Sequence, residues 1–225
     1  PLLRSIVAVA AVATLAGPAV AQPTPPPQLP ARLLDFEARA NAGQPPDKVM
    51  DAVGVKPGMV IGELGAGRGR YTVHLAARVG PRGKVFANDI NAAGLAIIRD
   101  RCAGAGITNV ETILGKVDDP LFPTQGLDMV FMVWVYHMLD QPRALLKNIV
   151  PALKPGATIV MMEPIPSETE AEIKEVTART GRKPTDINVV TRASLEDDAR
   201  AAGLEIVKAM EGFLKADNIY ILRRR

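Results

Sequence analysis

The chain has 225 residues, 48% of them hydrophobic and 23% charged, a usage that excludes a wholly disordered chain, a coiled coil or a collagen. Its 27 Lys and Arg against 24 Asp and Glu give a formal charge of +3, and three of those positive charges stand together at Arg223, Arg224 and Arg225, so the rest is close to balanced and argues against a nucleic-acid partner. A lone Cys102 excludes an intramolecular disulfide framework, and with only His74 and His137 beside it no metal site is expected.

Residues 1–21 read as a secretory signal peptide. Arg4 supplies a short positive region, Ile6 to Leu15 is small and apolar, Gly17 and Pro18 break the run, and Ala19-Val20-Ala21 is a small-x-small cleavage site. The apolar run is too short to span a bilayer comfortably, so cleavage after Ala21 and a periplasmic destination are expected, with no stable membrane insertion afterwards; an uncleaved tether is the alternative. Residues 22–30 carry five prolines and form an extended linker. Residues 31–225 are then a single domain with one sizeable core.

Within that domain, Arg32 to Ala40 and Pro46 to Val53 have the pattern of short amphipathic helices. Met59 to Leu64 is an apolar run bounded by Lys56-Pro57-Gly58 and a glycine cluster, the mark of a buried parallel strand. Tyr71 to Val79 follows as a helix, Lys84 to Asn88 as a second strand, Ala92 to Ala103 as a second such helix and Asn109 to Leu114 as a third strand. Leu127 to Val135 is a central strand, Gln141 to Leu153 a helix and Ala157 to Met162 a fifth strand. Helices are expected over Glu168–Thr180 and Ser194–Ala202, and the strands Glu205–Met210 and Asn218–Leu222 close the chain as an antiparallel pair. Alternation followed by a hairpin predicts a three-layer α/β sandwich, and Cys102 reads as a structural thiol within it.

The segment Glu63-Leu64-Gly65-Ala66-Gly67-Arg68-Gly69 sits between a strand and a helix. Glycines there turn the chain sharply and let a ligand approach the backbone, and the following helix offers free N–H groups. Asp89 arrives at the end of the second strand, where a carboxylate takes both ribose hydroxyls of a nucleoside. The glycines are spaced G-x-G-x-G rather than the dinucleotide G-x-G-x-x-G, and Glu63 precedes them. An acid repels a passing pyrophosphate but suits a ligand bearing an ammonium and a sulfonium. The charge therefore favours S-adenosyl-L-methionine over NAD, and a dehydrogenase is disfavoured.

These residues resemble the class I S-adenosylmethionine-dependent methyltransferases, and within them a bacterial branch whose members often carry export signals. The resemblance runs from Lys48 to Leu222. Gly58 to Gly67 matches the first motif and Gly83 to Ile90 the second; Leu114-Gly115 and Asp118-Asp119-Pro120 fall in the adenine loop, and Tyr136-His137 and Leu153-Lys154-Pro155-Gly156 complete the set. The resemblance implies a Rossmann-like, seven-stranded, mostly parallel sheet in the order 3-2-1-4-5-7-6 with one antiparallel strand. It implies that Glu63, Gly65, Ala66 and Gly67 cradle the methionine part of the cofactor, Asp89 holds the ribose, Ile90 packs on the adenine and Asp118 meets its amine. Glu63 stands where Asp is commoner, and Lys116 where many relatives place the adenine-contacting Asp.

Methyl transfer is an in-line displacement that needs alignment more than a base. If a base is used, His137 is the catalytic candidate, because it follows the C-terminal end of a buried strand and an imidazole is suited to general-base work, with Tyr136 lining the same crevice. The alternative is that Trp134, Tyr136 and His137 cap the sheet and that Glu163 orders a loop. The expected activity is methyl transfer to a small-molecule acceptor, with a non-catalytic exported protein that binds a nucleoside or S-adenosylmethionine as the competing reading. Nothing in the sequence sets the oligomeric state.

Overall fold

The computed structural model describes residues 29–164 and 192–225. The signal peptide, the linker up to residue 28 and the helix expected over Glu168–Thr180 lie outside the described residues.

Two helices open the domain, α1 (Ala31–Gly43) and α2 (Pro46–Val53). The alternating body follows: β1 (Val60–Leu64), α3 (Thr72–Val79), β2 (Lys84–Asp89), α4 (Ala92–Gly104), β3 (Val110–Leu114), β4 (Leu127–Val133), α5 (Pro142–Ile149) and β5 (Leu153–Pro164). Helix α6 (Arg192–Ala201) leads to the hairpin of β6 (Leu204–Met210) and β7 (Asp217–Arg224). The seven strands lie in the order β3-β2-β1-β4-β5-β7-β6. β7 is antiparallel to both β5 and β6, while the pairs among the first five strands are parallel. This is the expected Rossmann-like sandwich.

Alternation along the strands divides the core into two layers. Ile61, Val85, Met129, Phe131, Val160 and Met162 face one side, where α2 and α3 bring Val49, Met50, Leu75 and Val79. Val130, Met132, Ile159 and Met161 face the other, where α5 and α6 bring Leu145, Leu146, Ile149 and Leu195. α4 packs Leu95, Ile98 and the buried Cys102 against Ala66 and Ala87.

Several boundaries differ from the sequence expectation, among them the end of α5, which lies at Ile149 rather than Leu153. β5 begins at Leu153, so Lys154-Pro155-Gly156 lies inside the strand, where the register against β4 shifts between Leu127 and Met129. An irregular pairing absorbs the residues that read as a break. β4 ends at Val133 rather than Val135, because Trp134 enters the left-handed region at φ +57°. Between β1 and β4 the strand order reverses direction, and a crevice opens there outside the C-terminal strand ends.

Candidate active site

The glycine loop forms the floor of this crevice, a cleft of about 490 Å³, within the usual range for a small-molecule site of roughly 300–1,000 Å³. Gly65 has φ +65°, and a Cβ there would stand 2.4 Å from Val135 Cγ2, so the loop's tight seat against the end of β4 demands glycine. Gly67 has φ +60°, and a Cβ there would meet nothing within 4 Å. Its bare face opens on the cleft. Helix α4 closes on the loop from behind, where a Cβ on Gly94 would be 2.4 Å from the Gly67 carbonyl oxygen.

Asp89 ends β2 beside this loop. Its Oδ2 accepts the Gly67 backbone N–H at 2.8 Å and its Oδ1 accepts that of Asn91 at 2.8 Å. Asn91 in turn caps α4 by accepting from the Ala93 and Gly94 amides at 3.0 and 3.3 Å. Each Asp89 oxygen keeps a further lone pair for a ligand hydroxyl.

Glu63 lies deeper. Only 4% of it is exposed, and its Oε2 accepts the Thr72 hydroxyl hydrogen at 2.5 Å. Burial pushes its carboxyl up to about 8, against the lowering influence of that hydrogen bond and of Arg70. The pairing of a buried acid with a cleft suits a ligand cation, which would supply the missing opposite charge.

Helix α1 makes one wall with Leu33, Phe36 and Glu37. It buries only Ala40, so polar ties hold it. Arg101 donates to both oxygens of Glu37 at 2.8 and 3.1 Å and to the Arg68 carbonyl at 2.8 Å. Arg70 donates to Asn41 at 3.0 Å and Gln44 at 2.7 Å, and its guanidinium lies over the rings of Tyr71 and Trp134 at 4.7 and 5.4 Å. Burial pulls that guanidinium below its ordinary value. The opposite wall is Val133, Trp134 and Met138.

Among the expected site residues, Glu63, Gly65, Ala66, Gly67 and Asp89 line the cleft together. Ile90 is 61% exposed beside it, and the Asp118 main-chain oxygen accepts from Asn148 Nδ2 at 2.8 Å; neither lines the cleft. Tyr136 and His137 lie in the chain between the lining residues Trp134 and Met138 and are not among the lining residues themselves. The Tyr136 hydroxyl donates to Asp198 Oδ2 at 2.6 Å on α6, and burial followed by that carboxylate raises its phenol above the ordinary value. The ring therefore belongs to the core, away from the cleft. His137 Nδ1 is 2.6 Å from Glu163 Oε2, and Glu163 also accepts the backbone amides of Val135, Tyr136 and His137 at 3.0, 2.8 and 3.3 Å. Glu163 thus orders the short 3₁₀ turn Tyr136–Met138. Sequence reasoning missed the contribution of α1: Phe36, Glu37, Arg70 and Arg101 carried no motif, and only the amphipathic pattern of the helix marked it.

The methyltransferase domain family matches residues 61–156. The ubiquinone/menaquinone biosynthesis C-methyltransferase UbiE of Hydrogenovibrio crunogenus is 31% identical over 111 residues, which is 49% of this chain and 44% of that protein. The chain thus spans less than half the length of the curated relatives it matches. Among solved structures, a SAM-dependent methyltransferase from Aquifex aeolicus superposes with a TM-score of 0.72 at 22% identity, over 87% of this chain and 98% of that one. The geranyl diphosphate C-methyltransferase of Streptomyces coelicolor superposes with a TM-score of 0.67 at 14% identity, over 84% and 82%. At these identities the structures speak for the fold alone. Over residues 61–156 the chain is thus similar in sequence to methyltransferase domains, and its fold is the one that these solved methyltransferases share.

Proposed function

We propose that the protein transfers the methyl group of S-adenosylmethionine to a small-molecule acceptor. The observation that carries this reading is the arrangement around Gly67: an open glycine flanked by the buried carboxylate of Glu63 and by Asp89 at the end of β2. The residues fit the cofactor. Glu63 would be a charge partner for its ammonium, the amides of the Gly65–Gly67 turn would hold its methionine part, and Asp89 would accept from the ribose hydroxyls.

When bound, S-adenosylmethionine supplies a methyl carbon activated by its sulfonium. That methyl would pass to an acceptor atom as the carbon–sulfur bond broke, with a neutral thioether as the leaving group. The chain's task is alignment and exclusion of water. α1, tied down through Arg101 and Arg70, covers one side of the cleft, and Trp134 and Met138, which also line it, would bound the acceptor. Where the acceptor atom carries a proton, His137 is our candidate base. Glu163 accepts its Nδ1–H, which leaves the lone pair on Nε2. We further propose that residues 1–21 export the chain and are removed after Ala21.

Calorimetric titration of the full chain with S-adenosylmethionine and S-adenosylhomocysteine, beside an Asp89→Ala variant, tests the reading. Micromolar binding that the variant weakens at least tenfold supports it, and methyl transfer to an acceptor completes it. Absence of binding to either ligand defeats it. Tight binding with no transfer across a broad acceptor panel favours a non-catalytic binding protein.

A further inference from the structure

Trp134 is the chain's single tryptophan, and it occupies an expensive position. A left-handed φ on a bulky L-residue costs about 1–2 kcal/mol, and such outliers persist only where their surroundings over-determine them. Here four contacts do so. The Trp134 backbone N–H donates to the Met162 carbonyl at 2.8 Å, which holds the end of β4 to β5. The indole Nε1–H donates to Asp217 Oδ1 at 2.5 Å, and Asp217, the first residue of β7, is only 2% exposed. The Arg70 guanidinium lies over the ring at 5.4 Å, with Phe36 tilted against it at 6.4 Å between centroids.

The cleft is lined by two kinds of chemistry. Glu63, Asp89 and the glycine loop offer charge and backbone polar groups. Leu33, Phe36, Val133, Trp134 and Met138 offer carbon and sulfur surface, with Phe36 packed against Trp134 and Arg70 lying over its ring. The one polar hydrogen of the indole is already committed to Asp217, so the platform presents no donor of its own. Arg70 beside it repels a cation, which disfavours an amine acceptor. A flat ring meets these conditions best, because an aromatic face gains most from a parallel or edge-on aromatic neighbour.

We propose that Trp134 is the platform on which a flat, apolar, uncharged ring is held for methyl transfer, and that Asp217 is the residue that positions it. This rests on the methyltransferase reading above and names its acceptor class. Asp217 is not among the residues lining the cleft and bonds to the indole, so its role is to fix the ring's plane.

The test compares two probes on the full chain saturated with S-adenosylhomocysteine: 2-naphthol, which is flat, and 2-decalol, the saturated skeleton of the same outline. Calorimetry gives each affinity in wild type and in Trp134→Leu, Asp217→Leu and Asp217→Asn. The expected result is a roughly tenfold preference for naphthol in wild type. Trp134→Leu, which keeps an apolar surface but no ring, abolishes the preference. Asp217→Leu reduces it, whereas Asp217→Asn, whose amide oxygen still accepts from Nε1, restores it to within about threefold. S-adenosylhomocysteine affinity stays within about threefold throughout. Should Asp217→Leu fail to fold, Trp134→Leu and Asp217→Asn still decide the matter. Equal affinity for the two probes, no probe binding, or a preference that survives Trp134→Leu overturns the platform while leaving the cofactor site standing. Loss of the preference in Asp217→Asn overturns the positioning role. Failure of wild type to bind S-adenosylhomocysteine removes the methyltransferase reading and the platform with it.

Discussion

The Glu63 carboxylate accepts the Thr72 hydroxyl hydrogen inside the protein, beside the cleft that the glycine loop lines, with burial holding its proton affinity up to about 8. A ligand ammonium arriving beside it favours the ionised form, so binding near neutral pH releases a proton. The free α-amino group of the cofactor itself titrates at about 8. Affinity for S-adenosylhomocysteine therefore rises from pH 6 toward 8, by up to about tenfold per unit, and falls again above it. Calorimetry in buffers of different ionisation enthalpy reads both the profile and the released proton. A flat profile, or an unchanged acid limb in Glu63→Gln, contradicts the assignment.

The same group makes a separate prediction about stability. Its folded-state value of about 8 lies above the unfolded 4.5, so between those values the folded protein holds a proton that the unfolded chain has released. Stability contributed by protonated Glu63 is thus complete below about pH 4.5 and is lost as pH rises to about 8. Glu63→Gln escapes that loss. The melting temperature of the variant relative to wild type should climb between pH 5 and pH 8, while cofactor affinity falls at least tenfold. Parallel melting curves at the two pH values would show that burial does not perturb this acid.

Much of this arrangement was legible in the residues. Unbroken apolar runs such as Met129 to Val133 read as strands covered on both faces, and the run from Glu63 through Gly69 to Asp89 marks the part of the cleft that the glycine loop builds. The acceptor end was not legible in the same way, because it depends on pairs far apart in the chain. Glu37 meets Arg101 across 64 positions and Trp134 meets Asp217 across 83, and neither pair leaves a local pattern. The reversal of Trp134 into positive φ is also silent in sequence, since no glycine or asparagine announces it. For Tyr136 the sequence left two readings open, and the hydroxyl's bond to Asp198 places its ring in the core.

The two loop glycines separate stability from binding. Gly65→Ala adds a Cβ 2.4 Å from Val135 Cγ2 in a left-handed backbone, so it forces either the loop or the end of β4 to move. It should cost about 2–4 kcal/mol in urea unfolding, from overpacking and strain together. Gly67→Ala meets no protein atom, and only its φ of +60° is penalised, about 1–2 kcal/mol. Yet its methyl occupies the open face where the cofactor would lie. Gly67→Ala should therefore remain folded and lose S-adenosylhomocysteine binding at least tenfold. Retained affinity in that variant would place the ligand elsewhere.

Helix α1 covers the cleft with little core of its own, so its seat depends on the polar latch. Arg101 and Glu37 are 18% and 15% exposed at the side chain, which shields the pair from the screening that weakens surface ion pairs. Arg101 is further oriented by its bond to the Arg68 carbonyl in the glycine loop, which couples the helix to the floor of the site. Glu37→Ala should leave the melting temperature within a few degrees of wild type, because the sheet and its two helical layers are untouched. Amide exchange over residues 31–43 should quicken by about tenfold, a local opening worth about 1.4 kcal/mol. Dissociation of S-adenosylhomocysteine should quicken with it if α1 shields the bound cofactor. Faster exchange without faster release would separate the two, leaving α1 a wall of the acceptor end rather than a cover for the nucleoside.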